Sequence, residues 1–399
     1  MNFSLGKLLK GDRILWVVLG LLSLISLLIV YSATGRLAYR EAGGNTFYYL
    51  GRQLIFLLLG FGLIAFLVNV IPVKFYTYIA PLLLVVTVGA LVAAFVQYKL
   101  SPGKATPRSL DLGFLSFQPA ELAKISLMMF VAKVLAKRQK SREELRKAFY
   151  WVMGASGLVC GIIFLGDIST AGLIFMCIMI LMLIARIPAK YLLITVGGGL
   201  LLLTTVYFTA DFIPASVGRV HTFKERIDDF IFGDDHAELG TTQADYAKLA
   251  IYEGGMLGKG PGQSEVSNYM EAAYNDFIYA IIIEEYGIFG GFFVALLYLI
   301  LLYRGVVIVR RSNRTYPAFL TAGLVLLLVF QAIINMAVSV GVAPVTGQPM
   351  PWVSMGGTSM LFTAVSFGAI LSVSYHNQRN KEVVEPPVMI DMPDEDEEL

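Results

Sequence analysis

The chain alternates between long apolar runs and short polar connections, and the length of these runs predicts helices that cross a membrane. A helix rises about 1.5 Å per residue, so about 20 apolar residues cross the roughly 30 Å core of a bilayer. The runs cover residues 14–33, 53–71, 77–97, 119–136, 149–165, 168–185, 189–209, 277–303, 317–342 and 357–376. The fourth to sixth runs are short, and the Gly166–Asp167 break between the fifth and sixth is also compatible with a re-entrant turn.

Composition supports a membrane protein. Hydrophobic residues make up 57% of the 399 residues and charged residues 15%, more apolar surface than a soluble chain of this length could bury. We therefore predict an all-α polytopic integral membrane protein of about ten transmembrane helices. Residues 1–378 form one transmembrane domain, and the acidic tail 379–399 is expected to be disordered. Cys160 and Cys177 lie in apolar runs and indicate neither a disulfide nor a thiol site.

The distribution of lysine and arginine predicts that both termini face the cytoplasm, because cytoplasmic loops carry the excess of these residues. With the N-terminus inside, the inside segments carry eighteen of them and the short outside loops carry six. The large loop 210–276, between the seventh and eighth helices, then lies outside.

Three irregular segments share this outer side, at about 98–118, 210–275 and 341–357. The second has basic residues at helical spacing, which predicts an amphipathic helix at the interface; they are Arg219, Lys224 and Arg226. The third contains three prolines and four glycines. Irregular backbone at membrane depth survives only when it is buried in protein or lines a cavity, so this segment is expected to shape a cavity.

A carboxylate, Asp276, stands where the outer loop meets the eighth apolar run. Glu284 and Glu285 follow inside that run, where a carboxylate is costly unless it is partnered or lines a wet cavity. Asp276 is the predicted centre of the chemistry. The plainer alternative is that Asn275 and Asp276 only cap the eighth helix, since both are good N-cap residues.

Five segments resemble the SEDS family of membrane peptidoglycan glycosyltransferases. They are FQPAELAK at 117–124, GGMLGKGPGQS at 254–264, NDFIYAIIIEEYG at 275–287, QAIIN at 331–335 and GVAPVTGQPMPWVSMGGTSMLF at 341–362. The likeness extends over about 11–378, and the AYNDFIYAIIIEE segment and the acidic tail favour the FtsW branch. The resemblance implies a protein of the bacterial cytoplasmic (inner) membrane that polymerises lipid II at its outer face, in septal or side-wall synthesis. Besides the bilayer, the implied partners are a class B penicillin-binding protein and other divisome or elongasome membrane proteins. No nucleic acid is expected.

The resemblance also implies site residues. The essential aspartate of the family falls on Asp276, and the lysine of its QPSExxK motif falls on Lys124. The chain departs from the family at MEAAYNDF, where LPEAHTDF is frequent, and at KATPRSLDL, which keeps Arg108 of the GAxRW motif but not the aromatic residue.

Joining lipid-linked sugars requires a hydroxyl to attack an anomeric carbon while lipid pyrophosphate leaves. The hydroxyl benefits from a carboxylate base, for which Asp276 is the candidate. The leaving group benefits from cations, or from a divalent metal such as Mg or Mn, whose ligands the sequence does not identify. The candidate substrate-binding residues are Arg108, Gln118, Glu121, Lys124, Arg219, Arg226, Lys259 and Ser354.

Several of these residues have a plainer interpretation. Glu121 and Lys124, three apart, would form a local pair on one helix face. Asp167, followed by Ser169 and Thr170, is typical of a helix cap, which is the interpretation we favour for it. Arg219 and Arg226 would meet only lipid headgroups, and Glu284 with Glu285 would serve structural pairing.

Two other classes of function remain open at this point. A transporter or flippase of lipid-linked precursors would also use carboxylates within the membrane, but it predicts polar residues across the full depth of the bilayer. A non-catalytic scaffold that recruits a transpeptidase predicts carboxylates that only cap helices.

Overall fold

A computed structural model describes residues 9–41, 43–100, 108–111, 116–212, 220–232, 242–270 and 273–384, with side chains as far as Arg379 in the last helix. The helices within these ranges are α1 Arg13–Ala33, α2 Gly35–Glu41, α3 Thr46–Val70, α4 Val73–Leu100, α5 Pro119–Lys137, α6 Arg142–Gly166, α7 Ile168–Ile184, α8 Ala189–Thr209, α9 Val220–Phe232, α10 Gln243–Gly254, α11 Ile278–Arg310, α12 Thr315–Ser339 and α13 Gly357–Val384. Two 3-10 turns occur at Ala210–Phe212 and Val266–Asn268, and β1 Leu110–Asp111 pairs antiparallel with β2 Ser116–Phe117.

Each predicted apolar run corresponds to one long helix, which confirms the all-α polytopic fold. Within the described ranges, eight helices are long and apolar enough to cross a membrane. The other two predicted spans are α7, which has only 17 residues, and α5, which carries Glu121, Lys124 and Lys133. Several helices extend beyond the apolar runs, as α3 does by starting at Thr46 rather than at residue 53, because polar residues near a helix end do not interrupt it. Cys160 and Cys177 are buried and free, as expected.

One end of the bundle joins the start of α1, the ends of α5 and α7, and the α11–α12 connection. The contacts there are Arg304 Nε to Asp12 Oδ2 at 3.0 Å, Thr315 Oγ1 to Ala136 O at 3.5 Å and Gln139 Nε2 to Ala185 O at 3.5 Å. The basic loops 137–147 and 304–314 lie at this end, which we call the basic end. Asp276 and 341–357 lie at the opposite end.

The break at Gly166–Asp167 joins two helices that run in opposite directions. Gln139, just before α6, contacts Ala185 at the end of α7, so α6 begins and α7 ends at the basic end. The break itself lies at the Asp276 end, where Gly166 O accepts a hydrogen bond from Arg108 Nε at 3.2 Å. The two helices therefore both cross the bundle, and the re-entrant alternative is wrong.

α11 is interrupted at Gly287, where the backbone adopts φ 68° and ψ −174°. The backbone groups that lose their helical partners at this interruption form hydrogen bonds with a loop. Lys259 N–H donates to Glu284 O at 2.9 Å, and Ile288 N–H donates to Gly255 O at 3.0 Å. A Cβ on Gly287 would lie 2.1 Å from Met256 O, so this close approach requires glycine.

The glutamates that precede this break are buried and bind the same loop. Glu284 accepts hydrogen bonds from the Ser264 hydroxyl at 2.5 Å and from the N–H groups of Glu265 and Val266 at 3.0 and 3.2 Å. Glu285 accepts a hydrogen bond from the Ser32 hydroxyl of α1. Structural pairing therefore accounts for Glu284, because a buried carboxylate that receives several hydrogen bonds is stabilised by them.

The predicted amphipathic helix is present as α9, which carries Lys224 and Arg226. Lys224 pairs with Asp211, which follows α8, and Tyr207 of α8 donates a hydrogen bond to Asp228. Arg219, which the sequence grouped with these residues, lies outside the described ranges. α9 thus lies against the outer part of α8, at the Asp276 end of the bundle.

Candidate active site

The main chain around Asp276 is held by polar side chains of α12 and of the irregular segment 341–357. Asn335 Nδ2 donates to Asp276 O at 2.9 Å and to Gln348 O at 2.8 Å. The Ser354 hydroxyl donates to Asn275 O at 2.7 Å. Ser354 therefore acts on the backbone beside Asp276, and the segment shapes the site as predicted.

The Asp276 carboxylate does not cap α11. The N-cap position of that helix is Phe277, and no side chain caps it. Asp276 Oδ1 is buried and has no hydrogen-bond partner among the residues that the structure describes. The capping interpretation is therefore wrong. A buried carboxylate oxygen that the fold leaves unpaired is costly, which is typical of a group kept for chemistry rather than for folding.

Two arginines and a second aspartate surround this carboxylate. A Cβ on Gly347, which has φ 66°, would lie 3.6 Å from both Arg108 Nη1 and Asp276 Oδ2, so these two groups border the same small space. Arg226 of α9 lines one cavity together with Arg108 and Asp167. The structure thus brings three of the predicted site residues, Arg108, Arg226 and Asp276, into one group.

Burial raises the pKa of Asp276 to about 6, an effect that the positive charges of Arg108 and Arg226 oppose and the negative charge of Asp167 adds to. Burial and the nearby charge of Arg108 lower the pKa of Arg226. An anion bound between the two arginines would relieve their mutual repulsion. A carboxyl group with a pKa close to neutral is suited to general base catalysis near pH 7.

Glu121 and Lys124 form the predicted pair, but away from the cavity. Lys124 Nζ lies 2.7 Å from Glu121 Oε1 and donates to Gln331 Oε1 at 3.0 Å, and its side chain is 2% exposed. Gln331 Nε2 in turn donates to Pro349 O at 2.8 Å. The pair is therefore connected through Gln331 to the irregular segment 341–357 and supports it.

The remaining candidates occupy other places. Lys259 lies beside the break in α11, where it pairs with Glu253 and lies 3.5 Å from Glu284 Oε1, so it is not part of the group around Asp276. Gln118, at the N-cap position of α5, lines an apolar groove that also contains Arg108. Arg219 is not described, and its predicted role stays a prediction.

Asp167 caps α7, as predicted, and it also contacts Arg108, which was not predicted. Its Oδ1 accepts a hydrogen bond from Thr170 N–H at 3.1 Å, which confirms the predicted cap. Its Oδ2 lies 3.5 Å from Arg108 Nε. The position of Asp167 in the sequence could have indicated this second role. A carboxylate in a one-residue connection between two apolar helices lies at an end of the bundle, and in this chain it is the end where Asp276 also lies.

The described residues around Asp276 supply few ligands for a divalent cation. No group of three His, Cys, Asp or Glu side chains within the described ranges could hold a metal ion. Among the described residues, Asp276 and Asp167 are the carboxylates that face this group, and Asp167 is engaged by Thr170 and Arg108. Mg²⁺ requires near-octahedral oxygen coordination, which these two carboxylates alone do not supply.

Comparison with known proteins places this architecture in a family. Residues 12–379 match the model of the cell cycle protein family named for FtsW, RodA and SpoVE. The chain is 30% identical over 373 residues to a probable peptidoglycan glycosyltransferase FtsW of Coxiella burnetii, which covers 91% of this chain and 96% of that protein. It is 29% identical over 383 residues to stage V sporulation protein E of Bacillus subtilis, which covers 93% and 99%.

Solved structures show the same fold. A chain of a peptidoglycan synthase complex that coordinates polymerization and crosslinking superposes with a TM-score of 0.72 at 22% identity and covers 92% of this chain and 98% of its own. The rod shape determining protein RodA of Thermus thermophilus superposes with a TM-score of 0.65 at 21% identity and covers 93% and 99%. Fold and sequence agree, and the chain belongs to the FtsW, RodA and SpoVE family of cell cycle proteins.

Proposed function

We propose that this protein is a peptidoglycan glycosyltransferase that polymerises lipid II into glycan strands. The observation that carries the proposal is the Asp276 carboxylate, which caps no helix. Its buried Oδ1 has no hydrogen-bond partner among the described residues, and Arg108 and Arg226 lie near enough to act on its charge. The names of the FtsW relatives support the same reaction class.

In the proposed reaction, Asp276 accepts the proton of a sugar hydroxyl on the acceptor. The hydroxyl oxygen forms a bond to the anomeric carbon of the donor, and the bond from that carbon to the diphosphate breaks. The electron pair of the broken bond stays on the lipid diphosphate, whose charge Arg108 and Arg226 neutralise. Cations that are already fixed at the place where negative charge develops are among the strongest sources of transition-state stabilisation.

The lipid part of the donor requires an apolar path from the same place. A groove between α4, α5 and α6 is lined by Arg108, Gln118 and several apolar side chains. These are Leu91, Ala94, Phe95, Ile162 and Ile163. Because Arg108 borders both the groove and the cavity, a diphosphate held there would let its prenyl chain enter the groove.

The alternatives make different demands on the same residues. A scaffold that uses carboxylates only as caps does not explain why Asp276 caps no helix, nor why its buried Oδ1 has no partner within the described ranges. Purified protein assayed for glycan chains from lipid II, alone and with a class B penicillin-binding protein, tests the proposal. If neither assay yields glycan chains, and the protein instead transports lipid II in vesicles, the result would support a transporter.

The proposed setting is the bacterial cytoplasmic membrane, with partners among divisome or elongasome proteins, and with Asp276 on the outer face and the basic end inside. We predict that, after Cys160 and Cys177 are replaced by alanine, a cysteine at Tyr252 reacts with a membrane-impermeant maleimide in intact cells. A cysteine at Glu143, exposed at the basic end, should not react. Tyr252 suits the test because it is 84% exposed. The opposite labelling pattern would overturn the orientation and the polymerase proposal together.

The pH dependence of polymerisation should report Asp276. The pKa of this carboxyl is raised to about 6, and only its ionised form accepts a proton, so we expect the rate to rise as the pH increases through about 6. Initial rates on lipid II between pH 5 and 8, at saturating and at low substrate, measure this limb. A rate independent of pH across that window would contradict Asp276 as the base.

A further inference from the structure

Asp167 lies at the junction between α6 and α7. It is the only residue between α6 and α7, and its backbone is extended at φ −156° and ψ 90°. Both carboxylate oxygens are used. Oδ1 accepts from Thr170 N–H and starts α7, while Oδ2 lies 3.5 Å from Arg108 Nε. The side chain of Asp167 is 11% exposed and that of Arg108 is 21% exposed, so this ion pair is partly shielded from water, which strengthens the action of its charges on their neighbours.

The junction holds one edge of the Arg108 guanidinium group and leaves the other edge to the site. Arg108 Nε donates to Gly166 O at 3.2 Å and faces the Asp167 carboxylate. Arg108 Nη1 borders the space beside Gly347 that Asp276 Oδ2 also borders. Since a guanidinium group is planar with its donors in fixed directions, fixing the Nε edge also fixes where the Nη donors point.

Arg108 and the α6–α7 junction that holds it come from distant parts of the chain. Arg108 is placed 58 residues before its acceptor Gly166 along the chain, just before the two-residue strand β1. The described residues next to it, 108–111, form no helix. The α6–α7 junction, by contrast, belongs to two helices of the bundle and offers a rigid support.

We propose that Asp167 is a positioning residue for the glycosyl transfer, holding Arg108 so that its Nη donors meet the donor diphosphate beside Asp276. This inference rests on the proposed function. Besides burial, which has the largest effect on the pKa of Asp276, the charged groups that act on it are Arg108, Arg226 and Asp167. Asp167 therefore has a second effect, because its negative charge favours the protonated form of Asp276.

The Asp167→Asn variant separates the cap from the charge. Asparagine caps a helix about as well as aspartate, so α7 keeps its start, whereas the ion pair with Arg108 is lost. We expect the maximal rate of lipid II polymerisation to fall about ten- to a hundredfold, the effect of a small misplacement of a group at the reacting centre. The acid limb of the pH profile should also move to lower pH, because the pKa of Asp276 falls when the nearby negative charge is removed.

Two further variants control the experiment. Glu265→Gln removes one negative charge from the same end of the protein, at a side chain that is 82% exposed, and should shift neither rate nor pH limb. Arg108→Gln combined with Asp167→Asn should be no slower than Arg108→Gln alone, because a residue that acts through another adds nothing once that other is gone.

The outcomes are distinguishable. If wild-type protein fails to polymerise lipid II, the proposed function fails and the inference that rests on it is overturned with it. If wild-type protein polymerises and Asp167→Asn matches it in rate and pH limb, Asp167 is a cap only and the inference is overturned. A slow Asp167→Asn variant with an unchanged pH limb and strictly multiplicative losses in the double variant would overturn it as well.

Discussion

Replacing Asp276 with asparagine should reduce lipid II polymerisation by about 10²- to 10⁴-fold, the range that a positioned general base contributes. The folded protein should survive the change. Asn335 and Ser354 hold the backbone of residues 275 and 276, and these contacts do not involve the Asp276 side chain. Polymerisation assays on purified protein, with inserted amounts matched by immunoblot, measure the loss.

The same variant should be more stable than wild-type protein at pH 8. The folded pKa of Asp276 lies above the unfolded value, so its favourable contribution is present at low pH and is lost as the pH rises through about 6. Asparagine carries no charge to bury, and the gain at pH 8 should vanish near pH 4. Melting temperatures in detergent at the two pH values test this. Polymerisation at near wild-type rate by the variant would remove Asp276 from the reaction.

Replacing Lys124 with methionine should destabilise the protein by about 3–5 kcal/mol, because the change leaves the Glu121 carboxylate buried without its partner. Methionine is similar in length to lysine, so the loss reflects the charge rather than a cavity. The melting temperature of purified protein measures it. Lys137→Met, at an exposed lysine on the same helix, is the matched control and should leave stability nearly unchanged.

The double variant Glu121→Gln, Lys124→Met decides what the pair does. If the pair only supports the irregular segment 341–357, removing both charges should restore much of the stability and with it the polymerisation rate. A double variant that is stable but inactive would instead show that the ammonium group of Lys124 meets the substrate, as the resemblance to the family implied.

The helices and part of the site could be predicted because they follow from local signals. Apolar runs of about 20 residues specify helices whatever their neighbours are. The i,i+3 spacing of Glu121 and Lys124 placed them on one face, and they do pair. The position of Asp276 between the outer loop and the eighth apolar run identified it as the candidate catalytic carboxylate.

The remaining features depend on contacts between distant segments. The break at Gly287 could not be predicted from the apolar run, because it depends on hydrogen bonds with a loop some thirty residues earlier. Nothing near Asp167 in sequence indicates that Arg108 reaches it. Lys259 matched the requirement for a cation, but the glutamates that surround it come from the α10–α11 region and draw it away from Asp276.

The interruption of α11 also changes how this helix relates to the thickness of a bilayer. From residue 288 to 310 the helix would rise about 34 Å at about 1.5 Å per residue, which by itself is enough for the roughly 30 Å hydrocarbon core. The turns before Gly287 are therefore not needed to cross lipid. They are enclosed by protein, with Ile278 and Ile281 fully buried. Two adjacent glutamates can thus stand in a helix that is apolar overall, since the part that must match the membrane begins after them.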